Sequence, residues 1–222
     1  MALTPGRLVA SRSFAFHICG DVNFASVRAA RALLSAESLL RGTEHEHRLR
    51  GRRSETVAVS INGRQIQVRD HKPLIPANLE LLDGYTLDDF IGELNSRVFL
   101  WAGTEKGPCE SGKRHIAKYQ AEGETFILRV PTSRLFAENT ARALEVTFCN
   151  SGAARYHTGQ RAKRGRSTFV ELGAATRSPG DVVEFTFKHS VALPRETQYA
   201  KALSGPWLPL ANDANDANDA ND

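Results

Sequence analysis

Long uninterrupted apolar runs are missing from this chain, so nothing in it approaches the length of a membrane span. Its N-terminal region carries Arg7 and Arg12 but lacks the sustained apolar core and cleavage pattern of a secretory signal. Cysteine is scarce: Cys19, Cys109 and Cys149 are odd in number and widely spaced, which argues against a disulfide framework and against structural zinc. A reducing, cytoplasmic setting is the simplest expectation. The chain also has no phosphate-binding glycine loop, no Gly-x-Gly-x-x-Gly dinucleotide pattern and no Gly-x-Ser-x-Gly nucleophile elbow, which removes P-loop, Rossmann and hydrolase readings. His45-Glu46-His47 supplies metal-ligand types, but without the i, i+4 spacing that sets two histidines on one helical face and without a third ligand, so no metal is expected.

What is present is the composition of an ordinary soluble domain, 222 residues with 41% hydrophobic and 24% charged. The Ala-Asn-Asp repeat over 211–222 is low in complexity and has no apolar periodicity, so it is read as a disordered tail behind one domain over 1–210. Removing the four Asp of that tail leaves 29 basic against 21 acidic residues, a net charge of +8. Such a body suits a polyanionic partner or a phosphate-bearing ligand, and equally suits simple solubility.

Elements alternate irregularly. Phe14–Cys19 reads as a strand, followed by a helix capped by Asp21 or Asn23 with Phe24, Val27, Ala30 and Leu34 at helical spacing. Asn62-Gly63 between two alternating segments predicts a hairpin over 56–68, and Thr86 with Asp88 and Asp89 predicts a helix start. Further strands are expected at 97–101, 125–130, 144–149, 168–172 and 182–187, with helices near 113–120 and 133–139. These are too irregularly spaced for a βαβ repeat, so the class is α+β, one domain with sheets packed around a cleft.

Two residues stand out chemically. His17 interrupts the apolar run Phe14–Cys19, and Glu184 interrupts Val182–Phe187 near the other end of the chain. If these strands are neighbours, the two groups share a cleft. A lone histidine is commonly a hydrogen-bonded structural residue, and the alternation of Val182, Glu184 and Thr186 with Val183, Phe185 and Phe187 puts Glu184 on the solvent face of a half-buried strand; a catalytic carboxylate is the competing reading. Arg69-Asp70-His71-Lys72-Pro73 leaves polar groups at a strand exit, suited either to a ligand or to a solvated turn. Two basic segments, Arg48, Arg50, Arg52 and Arg53, and then Arg161, Lys163, Arg164 and Arg166, offer charge-assisted donors to a nucleic-acid backbone or a nucleotide, or form solvated loops. Phe99, Trp101 and Tyr156 serve core packing or a stacking wall.

In order along residues 12–195, Phe16-His17 with a helix ending Leu33-Leu34-Ser35-Ala36, Arg69-Asp70-His71-Lys72-Pro73, Leu94–Trp101, Asn150-Ser151-Gly152 and Arg164-Gly165 with Thr168-Phe169 resemble a family of uncharacterised bacterial domains. More distantly, the His-bearing first strand and the segment Val183-Glu184-Phe185-Thr186-Phe187 resemble ADP-ribosyltransferases, particularly DarT-like DNA-modifying toxins. That resemblance implies mixed or antiparallel split sheets holding NAD as co-substrate, Glu184 as the catalytic carboxylate, and His17 and Arg69 as NAD-binding residues. It implies a toxin or defence protein whose acceptor is DNA, RNA or protein, with an antitoxin as a partner. Two alternatives stand beside it: an NAD glycohydrolase using water as acceptor, and a non-enzymatic basic module that binds nucleic acid.

Overall fold

The computed structural model describes residues 2–154 and 159–211. Thr4 caps the first helix, α1 (Pro5–Ser11), whose proline sits where no intrahelical amide is needed. The aromatic-rich run then becomes β1 (Phe14–Gly20), followed by α2 (Phe24–Ala30). This helix is shorter than its apolar spacing suggests. Arg31 takes a left-handed φ of 44° and ends it, so Leu34 belongs to a short strand, β2 (Ala32–Leu34). Neither Asp21 nor Asn23 caps α2. The Asn23 side chain is spent on the backbone of Gln67 instead, donating to its carbonyl at 2.9 Å and accepting from its amide at 2.8 Å.

After α3 (Ala36–Leu40), the hairpin forms as β3 (Val57–Ile61) and β4 (Arg64–Val68). Asn62 and Gly63 both have positive φ, 51° and 73°, as the two central residues of a type I′ turn require. β5 (Leu79–Leu81) precedes α4 (Leu87–Asn95), which starts with a reciprocal capping box between Thr86 and Asp89. Then come β6 (Arg97–Thr104), β7 (Gly107–Pro108), α5 (Glu110–Gln120), β8 (Thr125–Pro131) and α6 (Thr132–Glu138). The remaining strands are β9 (Leu144–Thr147), β10 (Ala162–Arg164), β11 (Val170–Glu171), β12 (Glu184–Lys188), β13 (Ser190–Ala192), β14 (Gln198–Ala200) and β15 (Leu208–Pro209). The strand expected over 168–172 is thus cut to two residues behind a 3-10 turn at Arg166–Thr168. Ala211 apart, the Ala-Asn-Asp repeat lies outside the described residues, as does Tyr156. Among the described residues no helix is long and apolar enough to cross a membrane.

The expected α+β class with several antiparallel sheets in one domain is what forms. The main sheet runs β11-β9-β12-β6-β1-β8-β14-β15, with β7 folded back on β6, and its pairs are antiparallel. Its interior strand β6 is apolar on both sides. Val98, Leu100 and Ala102 join a large core with Leu128, Val130, Phe185 and Leu135, while Trp101 packs with Ile116 and Tyr119 of α5 and Phe99 packs toward Phe90 and Leu94 of α4. The strand therefore reads as a continuous hydrophobic run because neither face meets water.

The same fact corrects the reading of Glu184. Glu184, Phe185, Thr186 and Phe187 are all buried, so both faces of β12 are covered, and Glu184 is only 2% exposed. Period-2 alternation signals a wet face only when one face is wet.

A buried ion pair braces the sheet edge of α4. Arg97 donates from Nε to Glu145 at 2.6 Å and from Nη2 at 3.1 Å, also bonds Glu93, and lies 4.1 Å from the ring centre of Phe169. Because Arg97 and Glu145 are 5% and 7% exposed, removing one partner strands the other charge away from water. Arg97→Met is expected to lower unfolding free energy in urea titration by about 3–5 kcal/mol, and the double variant Arg97→Met/Glu145→Leu by distinctly less.

Candidate functional site

The site arises where two central strands stop pairing. β1 and β6 are joined at Phe14↔Gly103, Ala15↔Ala102 and Phe16↔Trp101, and no further. Beyond that point β1 continues along β8 as far as Gly20↔Thr125, while β6 continues along β12 to Arg97↔Lys188. The sheet splays, and a cavity of about 720 Å³ opens in the gap. His17 from β1, Phe99 and Trp101 from β6, Glu184 from β12, Tyr119 from α5 and Arg69 from the exit of β4 all line it. The structure thus brings together the three residues His17, Arg69 and Glu184 singled out from the sequence.

His17 satisfies a backbone group that the split leaves without a strand partner. Its Nδ1 lies 2.7 Å from the Phe99 carbonyl oxygen. A carbonyl only accepts, so Nδ1 carries the proton, and burial holds the ring pKa below its usual value against the raising effect of that bond. The ring is neutral at pH 7, and its Nε2 is left as an acceptor.

Glu184 begins β12 opposite Thr147 on one neighbour and Trp101 on the other. Its Oε2 lies 2.7 Å from the Ser151 hydroxyl, 3.2 Å from the Ser151 amide and 2.9 Å from the Thr147 hydroxyl. Burial drives its pKa up to about 7, opposed by the Ser151 hydrogen bonds and by the charge of Arg164. A carboxyl poised near neutrality inside a cavity suits proton transfer or stabilisation of a developing cation.

Arg69 is less free. Its guanidinium is ion-paired with Glu122 and stacked 3.2 Å from the ring centre of Tyr119, and its buried Nε has no hydrogen-bond partner among the described residues. Tyr119 also meets His115 edge-on with ring centres 4.2 Å apart, and His115 lies 5.1 Å from Trp101, so these three rings form an aromatic wall. Burial and the nearby cations Arg69 and Lys118 push the His115 pKa down to about 3.

The residues assigned to a nucleic-acid backbone do not form one basic surface. Arg53 and Arg164 are buried: Arg53 bonds Asn95 at 2.7 Å and the Arg69 carbonyl at 3.0 Å, and Arg164 bonds the Asn150 carbonyl at 2.8 Å. A guanidinium held by internal acceptors is withdrawn from a surface contact, which corrects those two assignments. Arg48 pairs with Glu55 at 3.0 Å, Lys163 lies 3.9 Å from Glu80, and Arg52 donates to the Leu74 carbonyl at 2.9 Å. Arg50 and Arg166 meet in a second groove, among Glu37, Glu46, Asp83, Asp89 and Glu93. Arg161 is exposed. Among the described residues no three His, Cys, Asp or Glu side chains come together to hold a metal ion.

Sequence reasoning missed Ser151, His71 and His115 as cavity-side groups, and Thr147 as a buried partner of Glu184. Ser151 stands in the sequence only within Asn150-Ser151-Gly152, a segment of the family resemblance. His71, with its pKa pushed down to about 3 by burial and Arg53, sat inside a recognised strand exit. His115 and Tyr119, four apart on α5, carried a readable helical spacing.

A model of the family of unknown function DUF7002 matches residues 13–197, as expected from the resemblance to uncharacterised domains. No curated protein and no solved structure matches the chain.

The raised Glu184 pKa has a stability consequence. The folded protein holds this proton where the unfolded chain has released it, so unfolding free energy falls as pH rises from about 4.5 to about 7. Glu184→Gln, which keeps the shape without the charge, is expected to be more stable than wild type at pH 8 by up to about 3 kcal/mol, with the gap closing toward pH 4 in thermal melts.

Proposed function

The chain belongs to DUF7002, a family of unknown function, and we propose that its split-sheet cavity binds NAD and transfers ADP-ribose to a macromolecular acceptor, DNA, RNA or protein. One observation carries this reading: a buried carboxyl, Glu184, and a neutral histidine, His17, face the same cavity from two strands on either side of a parted sheet. The cavity volume of about 720 Å³ falls in the range of ~300–1,000 Å³ usual for cofactor-sized ligands.

Chemically, the bond between the ribose C1′ and the nicotinamide nitrogen breaks, nicotinamide leaves with the electron pair, and C1′ gains oxocarbenium character. The ionised form of Glu184 stabilises that charge in a site shielded from water, and it receives the proton that the acceptor gives up on attack. His17 Nε2, an acceptor, suits a ribose hydroxyl or carboxamide N–H. Arg69 suits a phosphate once its pairing with Glu122 loosens, and the wall of Trp101, His115 and Tyr119 suits a planar ring. The internal pairing of most of the basic residues weighs against a purely electrostatic nucleic-acid module. Water in place of the macromolecular acceptor would make the same site a glycohydrolase.

Purified wild type and Glu184→Ala, given NAD labelled on the adenylate together with DNA, RNA and cell extract, test the reading. Wild type is expected to release nicotinamide and label a polymer. Glu184→Ala is expected to lose turnover by a factor of at least ~10² while NAD affinity stays within a few-fold. Free ADP-ribose without labelled polymer identifies the hydrolase, and full turnover by Glu184→Ala removes this carboxylate from the chemistry. Because the ionised carboxyl is the working form, kcat/KM should rise as pH passes upward through about 7.

A further inference from the structure

Proton counting around Glu184 exposes a conflict at the hydroxyl of Thr147. Thr147 is fully buried, and its Oγ1 lies 2.8 Å from the Cys149 carbonyl oxygen and 2.9 Å from Glu184 Oε2. A hydroxyl has a single proton to donate. The Cys149 carbonyl can only accept, and an ionised carboxylate can only accept. With Glu184 ionised, therefore, one of these two contacts sets lone pair against lone pair in a place without water, an arrangement that disfavours the ion.

With a proton on Oε2 the conflict disappears. Glu184 donates to Thr147, and Thr147 donates to the Cys149 carbonyl. The Ser151 amide and hydroxyl reach the same Oε2, at 3.2 and 2.7 Å, and are accepted by the two lone pairs that a protonated oxygen keeps. The chain of bonds is built by the fold: Thr147 is the last residue of β9 and sits directly across from Glu184, while the backbone turns just beyond it and brings the Cys149 carbonyl back over the hydroxyl. The charged neighbour is Arg164, whose Nη2 is already committed to the carbonyls of Asn150 and Ala153. The nearby thiols Cys109 and Cys149 are held neutral by burial, and on the β6 side the residue opposite Glu184 is Trp101, which does not titrate.

We propose that Thr147 is the positioning residue for the carboxyl of Glu184: its one hydroxyl proton goes to the Cys149 carbonyl, and its lone pair keeps a proton on Glu184 Oε2 in the resting protein. The statement about the proton stands on this geometry alone. Its consequence for turnover rests on the NAD reading above: the resting acid gives up its proton before it serves as the carboxylate, and Thr147 sets the pH at which that happens.

Direct titration decides the matter without NAD. The side-chain carboxyl of Glu184 in the full chain, labelled with carbon-13 and assigned by its loss in Glu184→Gln, is followed by NMR across pH 4–9. Thr147→Val, equal in shape, takes away the acceptor, and the midpoint is expected to fall by about one pH unit. Thr147→Ser restores the hydroxyl and should return the midpoint to that of wild type. A midpoint that rises in Thr147→Val shows that the hydroxyl donated to the carboxylate, and an unchanged midpoint shows that it does not bear on the proton; either overturns the proposal. Should Thr147→Val not fold, the infrared carbonyl band of a protonated carboxyl at pH 6, absent in Glu184→Gln, supports the proposal, and its absence from wild type overturns it. The two readings separate cleanly. A fallen midpoint without NAD consumption leaves this proposal standing and ends the transferase, whereas NAD turnover with a raised midpoint does the reverse. Where both hold, the acidic limb of kcat/KM moves to lower pH in Thr147→Val with the titration.

Discussion

Two strands in the middle of a sheet cannot part without leaving amide and carbonyl groups in need of partners, and this requirement organises the rest of the molecule. β1 and β6 separate after Phe16 and Trp101, and the Phe99 carbonyl, which faces the gap, is taken by the ring of His17. An orphaned carbonyl at this depth would cost about 1–3 kcal/mol, so the histidine is part of what makes the opening stable as well as part of what lines it. The two readings of His17, structural and functional, are therefore not rivals: one ring nitrogen serves the fold and leaves the other as an acceptor. α5 seals one side of the opening by packing Ile116 and Tyr119 with Trp101, and the hairpin of β3 and β4 contributes the opposite rim, tied to the body through Asn23 and Gln67.

Three of the basic residues, Arg53, Arg97 and Arg164, are spent inside the molecule. Arg53 links the segments at Arg69 and Asn95, Arg97 bridges α4 to the β9 carboxylate, and Arg164 clamps the carbonyls that precede and follow Ser151. The last of these bears directly on the chemistry, because Ser151 presents both its amide and its hydroxyl to Glu184. A positive net charge read from composition suggested an outward field. The fold uses several of those charges as internal cross-links between loops, where a guanidinium's fixed fork of donors suits several carbonyls at once.

What could be read from the sequence was what depends on near neighbours. Asn62-Gly63 dictates its own turn, and Thr86 with Asp89 dictates its own helix start, since each motif completes its hydrogen bonds within four residues. The burial of Glu184 could not be read that way. It depends on β12 slotting between β9 and β6, strands that lie some 40 and 80 residues earlier, and the local alternation is the same whether one face is wet or neither is. The pairing of Thr147 and Ser151 with that carboxyl has the same non-local origin, as does the withdrawal of Arg53 and Arg164 from the surface. His17 and Glu184 stand out in the sequence because a polar group inside an apolar run is a chemical anomaly visible without any knowledge of register; their strands are not neighbours, and they meet at one cavity across β6.

The order of strands also sets a schedule. β12 is an interior strand of the sheet that follows both β6 and β9 in the chain, and it brings Glu184 to a cavity that Asp70 also lines. While the chain is still emerging from the ribosome, β6 and β9 have no β12 between them, the sheet has a gap at its centre, and the cavity lacks Glu184. A polypeptide that ends between residues 165 and 183 carries the histidine, the aromatic wall and the arginines but not Glu184. Because β12 completes the sheet between β9 and β6, the carboxyl joins the cavity only once that long-range pairing has formed.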